Sequence, residues 1–535
     1  MLFKEKNKLP LYEGDERVTF ENVSNYISIV DGKYKFTPPR WIEKLVIVEA
    51  NIAKVTKEGS FAAATSEVLD HLADMGVNGL WVTPIFDNKG NANEVSHYGN
   101  RGPQTFGDDC FRATEHEARK EELRSFIKCA HEKGIYVFID VVTYGALATS
   151  PMYEAYANGT EFEGMDVSDW FTGNPAFSGY RYNWKSKTLQ AWFADRMLDL
   201  IKEYDFDGFR VDSEPSYLWY DADGDGVADT YADIFTDVRL RVAGYQRTAD
   251  GTYVYPENAT GRKLIIFSEI NNLREYAYDF EQMGVIHYGD EVSIGFQLKP
   301  ETRKNWFLEE DIVSSVKQGK IADGRRFTER LKVGEDFCNN FQYYSYCLSN
   351  HDTHSSFING QIIPPVYQAI LAPFIPIWYY GEECGFVDEE EVWLNSKQIN
   401  IKALLRSRKN KRFYEKFKRA VWIRRKYPDV FEVFPPDIRE TNIESVNATE
   451  GVLAYARYSN ERVAIILANP SKECKTVSVE YAIKSTKACV LQANDLMNGK
   501  KYKAVLADCK LCVDGIRLGS EDVAIIMVAI RDSNA

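Results

Sequence analysis

The run Asp207-Gly208-Phe209-Arg210-Val211-Asp212 reads as a short apolar strand that ends in a carboxylate, with an arginine two positions earlier. Side chains alternate faces along a strand, so Arg210 and Asp212 share one. A guanidinium beside a buried carboxylate favours the charged form and keeps it ionised. A fixed, ionised carboxylate at the end of a buried strand is what covalent attack on a sugar carbon requires. A buried structural ion pair accounts for the same two residues, so this run alone leaves both readings open. Three further strand-like runs carry polar ends in the same register. Asp140 closes Tyr136-Val137-Phe138-Ile139, Glu269 closes Leu264-Ile265-Ile266-Phe267-Ser268, and Asn350-His351-Asp352 follows Tyr346-Cys347-Leu348-Ser349. A single acid at a strand end is usually structural. Four on otherwise apolar strands crowd costly charges together, which points to catalysis.

These groups need a frame that brings them to one place. From about Leu45 short apolar strands alternate with amphipathic helices. The strand-like segments are Lys44–Ala50, Val77–Pro84, Ile135–Val142, Phe206–Asp212, Lys263–Glu269, Glu291–Leu298, Tyr344–Asn350 and Phe374–Tyr380. Helical spacing marks Ser66–Met75, Glu121–Lys133 and Leu189–Tyr204. Strands separated by helices predict an α/β fold with a parallel sheet, most economically closed as a (β/α)8 TIM barrel. An open doubly wound sheet is the competitor, yet no Gly-rich phosphate loop follows any strand. In a barrel all C-terminal strand ends open on one face, so the acids converge there. About sixty residues separate strands three and four, too many for a simple crossover, and predict an inserted subdomain at about 143–185. The expected organisation is an N-terminal extension over 1–40, which includes a short strand pair, a catalytic barrel over 41–430, and a C-terminal antiparallel β-sandwich domain over 431–535.

Bulk properties narrow the partners. With 65 basic against 79 acidic residues the chain carries −14, which argues against nucleic acid and anionic membranes. The 44% apolar content is ample for large cores. Nine cysteines, an odd and scattered set, read as reduced thiols rather than a disulfide framework. The charged N-terminus lacks the apolar centre of a leader, and no window reaches membrane-span length, so a cytoplasmic protein is expected. A secreted or periplasmic protein whose leader was removed is the alternative. Oligomeric state is not legible.

At this point the chain resembles glycoside hydrolase family 13, the α-amylase family, over roughly residues 41–535. Gly208-Phe209-Arg210-Val211-Asp212 is similar to the family's nucleophile motif and Phe267-Ser268-Glu269 to its general acid/base motif. Asn350-His351-Asp352 resembles the third carboxylate with its histidine, and Tyr379-Tyr380-Gly381-Glu382-Glu383 the segment after the eighth strand. His97-Tyr98-Gly99 is similar to the segment bearing a stacking tyrosine. The resemblance implies a retaining α-glycoside hydrolase acting on α-glucans or malto-oligosaccharides, with no organic cofactor. Asp212 would attack the anomeric carbon, Glu269 would serve as acid and then base, and Asp352 would favour the distorted transition state. Tyr98, Asp140, Tyr144, Arg210 and His351 would line or organise the substrate site.

The sequence departs from the family in two places. The run Asp140-Val141-Val142-Thr143-Tyr144-Gly145 lacks the asparagine and histidine that normally follow the strand-three aspartate. The family's usual calcium site is therefore not expected, and Tyr144 either takes over the histidine's contact or narrows the pocket. Pro215 and Ser216 replace a Lys-His pair after the nucleophile motif, which changes acceptor-side binding. Besides a specialised oligosaccharide hydrolase, two alternatives fit these losses: a 4-α-glucanotransferase and a non-catalytic carbohydrate-binding relative.

A separate calcium loop is expected at Asp221-Ala222-Asp223-Gly224-Asp225-Gly226-Val227-Ala228-Asp229. The side chains of Asp221, Asp223, Asp225 and Asp229 and the carbonyl of Val227 have the alternate spacing that wraps Ca²⁺, with Gly226 permitting the turn. Ala232 stands where a bidentate glutamate would complete the motif. A solvated acidic turn is the competing reading. Millimolar calcium is expected to raise the melting temperature by a few degrees through binding to the folded state. An unchanged melting curve leaves the solvated turn.

Overall fold

The computed structural model describes residues 17–18, 27–30, 33–36, 40–85, 113–143, 145–148, 150–176, 179–212, 231–256, 259, 261–269, 286–289, 344–347, 370–373, 375–386, 398–436, 442–483 and 488–530. Chain contacts divide it into two compact units. The first comprises Met1–Ile42, Ile47–Tyr288 and Glu390–Asn400, and the second Glu43–Val46, Gly289–Glu389 and Ile401–Ala535.

Eight parallel strands form a closed barrel in chain order. They are β1 (Ile47–Ala50), β2 (Gly79–Val82), β3 (Tyr136–Val142), β4 (Gly208–Asp212), β5 (Ile265–Glu269), β6 (Ile286–Gly289), β7 (Tyr344–Cys347) and β8 (Ile375–Tyr379). Strands β1, β2, β3 and β8 are buried along their whole length, which is why they read as continuous apolar runs. The expected sixth strand at Glu291–Leu298 is corrected: the sixth barrel strand is Ile286–Gly289, paired Phe267↔Ile286 and Glu269↔Tyr288. With His287 and Gly289 inside only four residues, it offers no apolar period to detect. Residues 291–298 lie outside the described set.

Helices α1 (Phe61–Met75), α2 (Ala113–Glu132), α3 (Pro151–Asn158), α4 (Lys187–Tyr204) and α5 (Tyr231–Val242) belong to the first unit. Ser60 caps α1 by accepting the Ala63 amide, and Ser186 caps α4 by accepting that of Leu189. The apolar positions Ala64, Val68, Leu69, Leu72 and Met75 are buried at the three- and four-residue spacing of one helix face. Between β3 and β4 the inserted segment forms α3 and a three-stranded antiparallel sheet of Gly145–Leu147, Gly179–Tyr182 and Phe171–Ala176. Its core is aromatic. Trp170 packs 5.4 Å from Trp192, and Trp184 donates its indole hydrogen to the Thr143 carbonyl at 3.0 Å, fastening the insertion to the end of β3. The N-terminal extension contains the strand pair expected there, Ile27–Val30 against Lys33–Phe36. A further short strand, Arg17–Val18, pairs with Gly261–Arg262 just before β5.

In the second unit the long helix α6 (Arg408–Lys426) buries Phe413, Phe417 and Val421, and the Phe417 ring meets Trp378 of β8 edge-on at 4.9 Å. The C-terminal strands are β9 (Ile443–Ser445), β10 (Asn447–Ala448), β11 (Leu453–Tyr458), β12 (Arg462–Asn469), β13 (Lys475–Ala482), β14 (Cys489–Asp495), β15 (Lys501–Ala507), β16 (Lys510–Leu518) and β17 (Asp522–Ala529). They make one antiparallel sheet in the order β9-β11-β12-β17-β14-β15-β16-β13-β10. Alternate residues from both ends of that order, among them Ala454, Ile465, Ile526, Ala504, Val513 and Val479, share a single core, so the sheet curls around it. The six described cysteines with recorded state are all free thiols.

At the N-terminal ends of β3, β4 and β5 sits a charged tie. Asp207 accepts the Val137 amide at 2.7 Å and the His131 ring at 2.9 Å, and its carbonyl accepts from Ile265. Arg262 lies 2.7 Å from Asp205 and 3.9 Å from Asp207. Burial is the largest influence on His131 and acts to lower its pKa. The hydrogen bond and charge of Asp207, with the charge of Asp205, outweigh burial and the opposing Arg262, so the value ends raised. A raised folded value stabilises the protein fully below the unfolded value of about 6.5, and this is lost as pH rises through the folded value. The stability gap between the native protein and His131→Asn in urea is therefore expected to be widest near pH 6 and to narrow toward pH 9. A gap independent of pH would show that His131 carries no charge in this tie.

Candidate active site

The first three strands after β1 build the described heart of the site. Register pairs Trp81 with Phe138 and Phe138 with Gly208, and two residues further on Asp140 with Arg210. Strand alternation thus gives Trp81, Asp140 and Arg210 the same parity on three consecutive strands. Gly208 permits the close approach of β4 to β5: a Cβ there would lie 1.9 Å from the Ile265 carbonyl oxygen.

Arg210 Nη1 donates to Asp140 Oδ1 at 3.1 Å and to Oδ2 at 3.0 Å, and neither side chain has any solvent exposure. Trp81 donates its indole hydrogen to Asp140 Oδ2 at 3.0 Å, and the guanidinium carbon of Arg210 lies 4.7 Å from the Trp81 ring centroid. Carboxylate, cation and indole therefore form a closed triangle in a dry interior. Such an arrangement offsets the desolvation of two charges, which an ion pair alone often fails to do. Glu49, opposite Trp81 on β1, is also fully buried.

The same register extends to the strand ends. Arg210 is paired with Phe267 on β5, so positions 212 and 269 each stand two residues further along adjoining parallel strands. The side chains of Asp212 and Glu269 lie outside the described set, as do residues Tyr98, Tyr144, His351 and Asp352 and the whole acidic loop Asp221–Asp229. Of the residues singled out from the sequence, Asp140 and Arg210 are brought into direct contact.

Sequence reasoning missed Trp81 and gave Glu383 no role beyond its place in the segment after the eighth strand. Trp81 was hidden in the apolar run Gly79–Val82, although its parity with Phe138 marks the inward side. Glu383 lies in a short 3-10 turn, Glu382–Cys384, directly after β8. It is fully buried and accepts from the Gly381 amide at 2.8 Å and the Trp378 indole at 3.1 Å. Burial, with Glu383 alongside, pushes the Cys384 thiol up and keeps it protonated.

Comparison with known proteins places this geometry. The family described as "Alpha amylase, catalytic domain" matches residues 56–195, a stretch that includes β2, β3 and Asp140. Over that stretch the chain is similar to the α-amylase family. The 1,4-α-glucan-branching enzyme of Eremothecium gossypii is 28% identical over 195 residues, 35% of this chain and 26% of that enzyme. The malto-oligosyltrehalose trehalohydrolase of Saccharolobus solfataricus is 24% identical over 393 residues, 68% of this chain and 62% of that protein. The chain spans 26%, 28% and 30% of the lengths of the three curated relatives matched first. Among solved structures, a maltogenic α-amylase of Thermotoga neapolitana superposes with a TM-score of 0.64 at 15% identity, covering 92% of this chain and 100% of that one. The α-amylase of Geobacillus thermoleovorans complexed with acarbose gives 0.62 at 15% identity, covering 93% and 100%. At such identities the likeness concerns the fold alone, a TIM barrel.

Removing one partner of the buried pair leaves the other charge without its counter-ion. Asp140→Ala is expected to cost about 3–5 kcal/mol of unfolding free energy in denaturant titrations. A loss below about 1 kcal/mol would mean that Arg210 finds an equivalent partner at once.

Proposed function

We propose that this protein is a retaining α-glycosidase acting on α-glucans or malto-oligosaccharides. The observation that carries the proposal is the register of β3, β4 and β5 around Arg210. Hydrogen-bonded strands run about 4.8 Å apart, so carboxylates at positions 212 and 269 suit the roughly 5 Å separation used by retaining enzymes. Similarity to the α-amylase catalytic domain over residues 56–195 and the matching sequence motifs support the same assignment.

In this reading the Asp212 carboxylate attacks the anomeric carbon while Glu269 gives its proton to the departing glycosidic oxygen. The covalent glycosyl-enzyme is then opened by water, from which Glu269 removes a proton. Asp352, with His351, holds ring hydroxyls and favours the oxocarbenium-like transition state. Arg210, itself pinned by Asp140, supplies a fixed positive charge on the strand that ends in Asp212, which favours an ionised nucleophile. Tyr98 and Tyr144 are assigned to substrate contact.

The test is sugar release from maltoheptaose and from short α-glucosides, with proton NMR of the first product formed. The expected product is the α-anomer, and Asp212→Asn is expected to lose about 10⁴-fold or more in kcat. A first product of β configuration, or equal rates for both proteins, would discard the proposal. Products longer than the donor at high maltotriose would assign the chemistry to transfer rather than hydrolysis.

A further inference from the structure

We propose that Trp81 is a positioning residue for catalysis, acting through Asp140 and Arg210. The inference rests on the glycosidase reading above and extends it to a residue on a strand that carries none of the reacting groups. Its basis is a division of labour within one side chain. The indole hydrogen is donated to Asp140 Oδ2 at 3.0 Å, while the ring lies against the Arg210 guanidinium at 4.7 Å. The three residues occupy β2, β3 and β4 in sequence, and none is exposed to solvent.

Each contact removes a different freedom. Arg210 reaches both oxygens of Asp140 through the same nitrogen, Nη1, which fixes distance better than the tilt of the guanidinium plane. The indole face below the cation opposes that tilt, as the negative face of an aromatic ring favours a cation above it. The indole N–H is a donor only, so it suits a carboxylate and nothing else within the triangle. It also holds the Asp140 carboxylate against rotation when Arg210 pulls on it. Arg210 and position 212 lie two residues apart on β4, with the same strand parity. A guanidinium held in one plane presents a constant field to the strand end where the nucleophile is assigned. Geometry at this level is worth large factors in rate, because preorganised charge does not have to reorient during reaction.

A plain packing role for Trp81 makes different expectations, and one substitution separates them. Trp81→Phe keeps an aromatic ring and removes the hydrogen-bond donor. The positioning role predicts a kcat reduced about tenfold with KM changed less than about twofold, the signature of an interaction that matters mainly in the transition state. It also predicts non-additivity with Asp140→Asn: the double variant is no slower than Asp140→Asn alone, because both act through one carboxylate. Should Trp81→Phe fold poorly, site-specific benzothienylalanine replaces the indole N–H by sulfur at nearly constant ring size, with the same tenfold loss expected. Wild-type kcat in either variant, or losses that multiply in the double variant, would overturn the role assigned to Trp81 while leaving the glycosidase reading intact. An unmodified protein without turnover on the α-glucoside panel would end the glycosidase reading, and this inference with it.

Discussion

A carboxylate and a guanidinium with no access to water, Asp140 and Arg210, set the terms for the barrel interior. Two ions in such a place cost several kcal/mol each to desolvate, and their mutual attraction compensates only if further donors and a complementary surface are present. Here the neighbouring strand supplies both through Trp81. The arrangement works in one register only. A slip of one residue in β2, β3 or β4 would turn Trp81, Asp140 or Arg210 to the opposite face of its strand and leave its partners stranded. The ion pair thereby acts as a registration pin for three strands, and the ends of β4 and β5 inherit their level from it.

Buried arginines recur elsewhere with a different task. In the second unit Arg424 donates to the carbonyls of Ile370 and Ala372 at 2.9 and 2.8 Å, and Arg457 to those of Leu371 and Glu432 at 2.8 and 2.7 Å. These cations satisfy backbone oxygens of Ile370, Leu371 and Ala372, just before β8, and of Glu432, after α6. Arg457 stands on β11 of the C-terminal sheet and Arg424 on α6, so the second unit stitches its own strand, helix and sheet together through main-chain carbonyls. The contrast is chemical. Arg210 meets an anion and makes a fixed electrostatic feature, whereas Arg424 and Arg457 neutralise dipoles and build a joint.

Much of the barrel was legible because parallel strands buried on both faces leave an unmistakable apolar run, as at Tyr136–Val142 and Gly79–Val82. Helices were found short at their beginnings. Periodicity marks the apolar face, while the observed starts follow the capping hydroxyls of Ser60 and Ser186. Ile286–Gly289 was misplaced because four residues with a histidine and a glycine carry no period. An acid after an apolar run exposed Asp140, and Arg210 stood out two positions before Asp212, since charge in an apolar run is conspicuous. Trp81 escaped for the opposite reason: within an apolar run an indole looks like filling, and its single polar hydrogen leaves no trace in the pattern. In the C-terminal region alternation disclosed half-buried strands, but it does not encode how many sheets they form. All nine belong to one.

The short pairing of Arg17–Val18 with Gly261–Arg262 has a consequence for how this chain comes off the ribosome. Residues 17 and 18 have their partner nearly half a chain away, so that ladder closes only after β1 to β4 and the inserted subdomain have been synthesised. Contacts this remote in sequence form late and slowly. Until then Arg17–Val18 has no such ladder to join, and nascent chains spend that interval with apolar surface open to one another. The strand Arg17–Val18 thus serves as a late stitch, sewn on after the first half of the barrel exists to receive it.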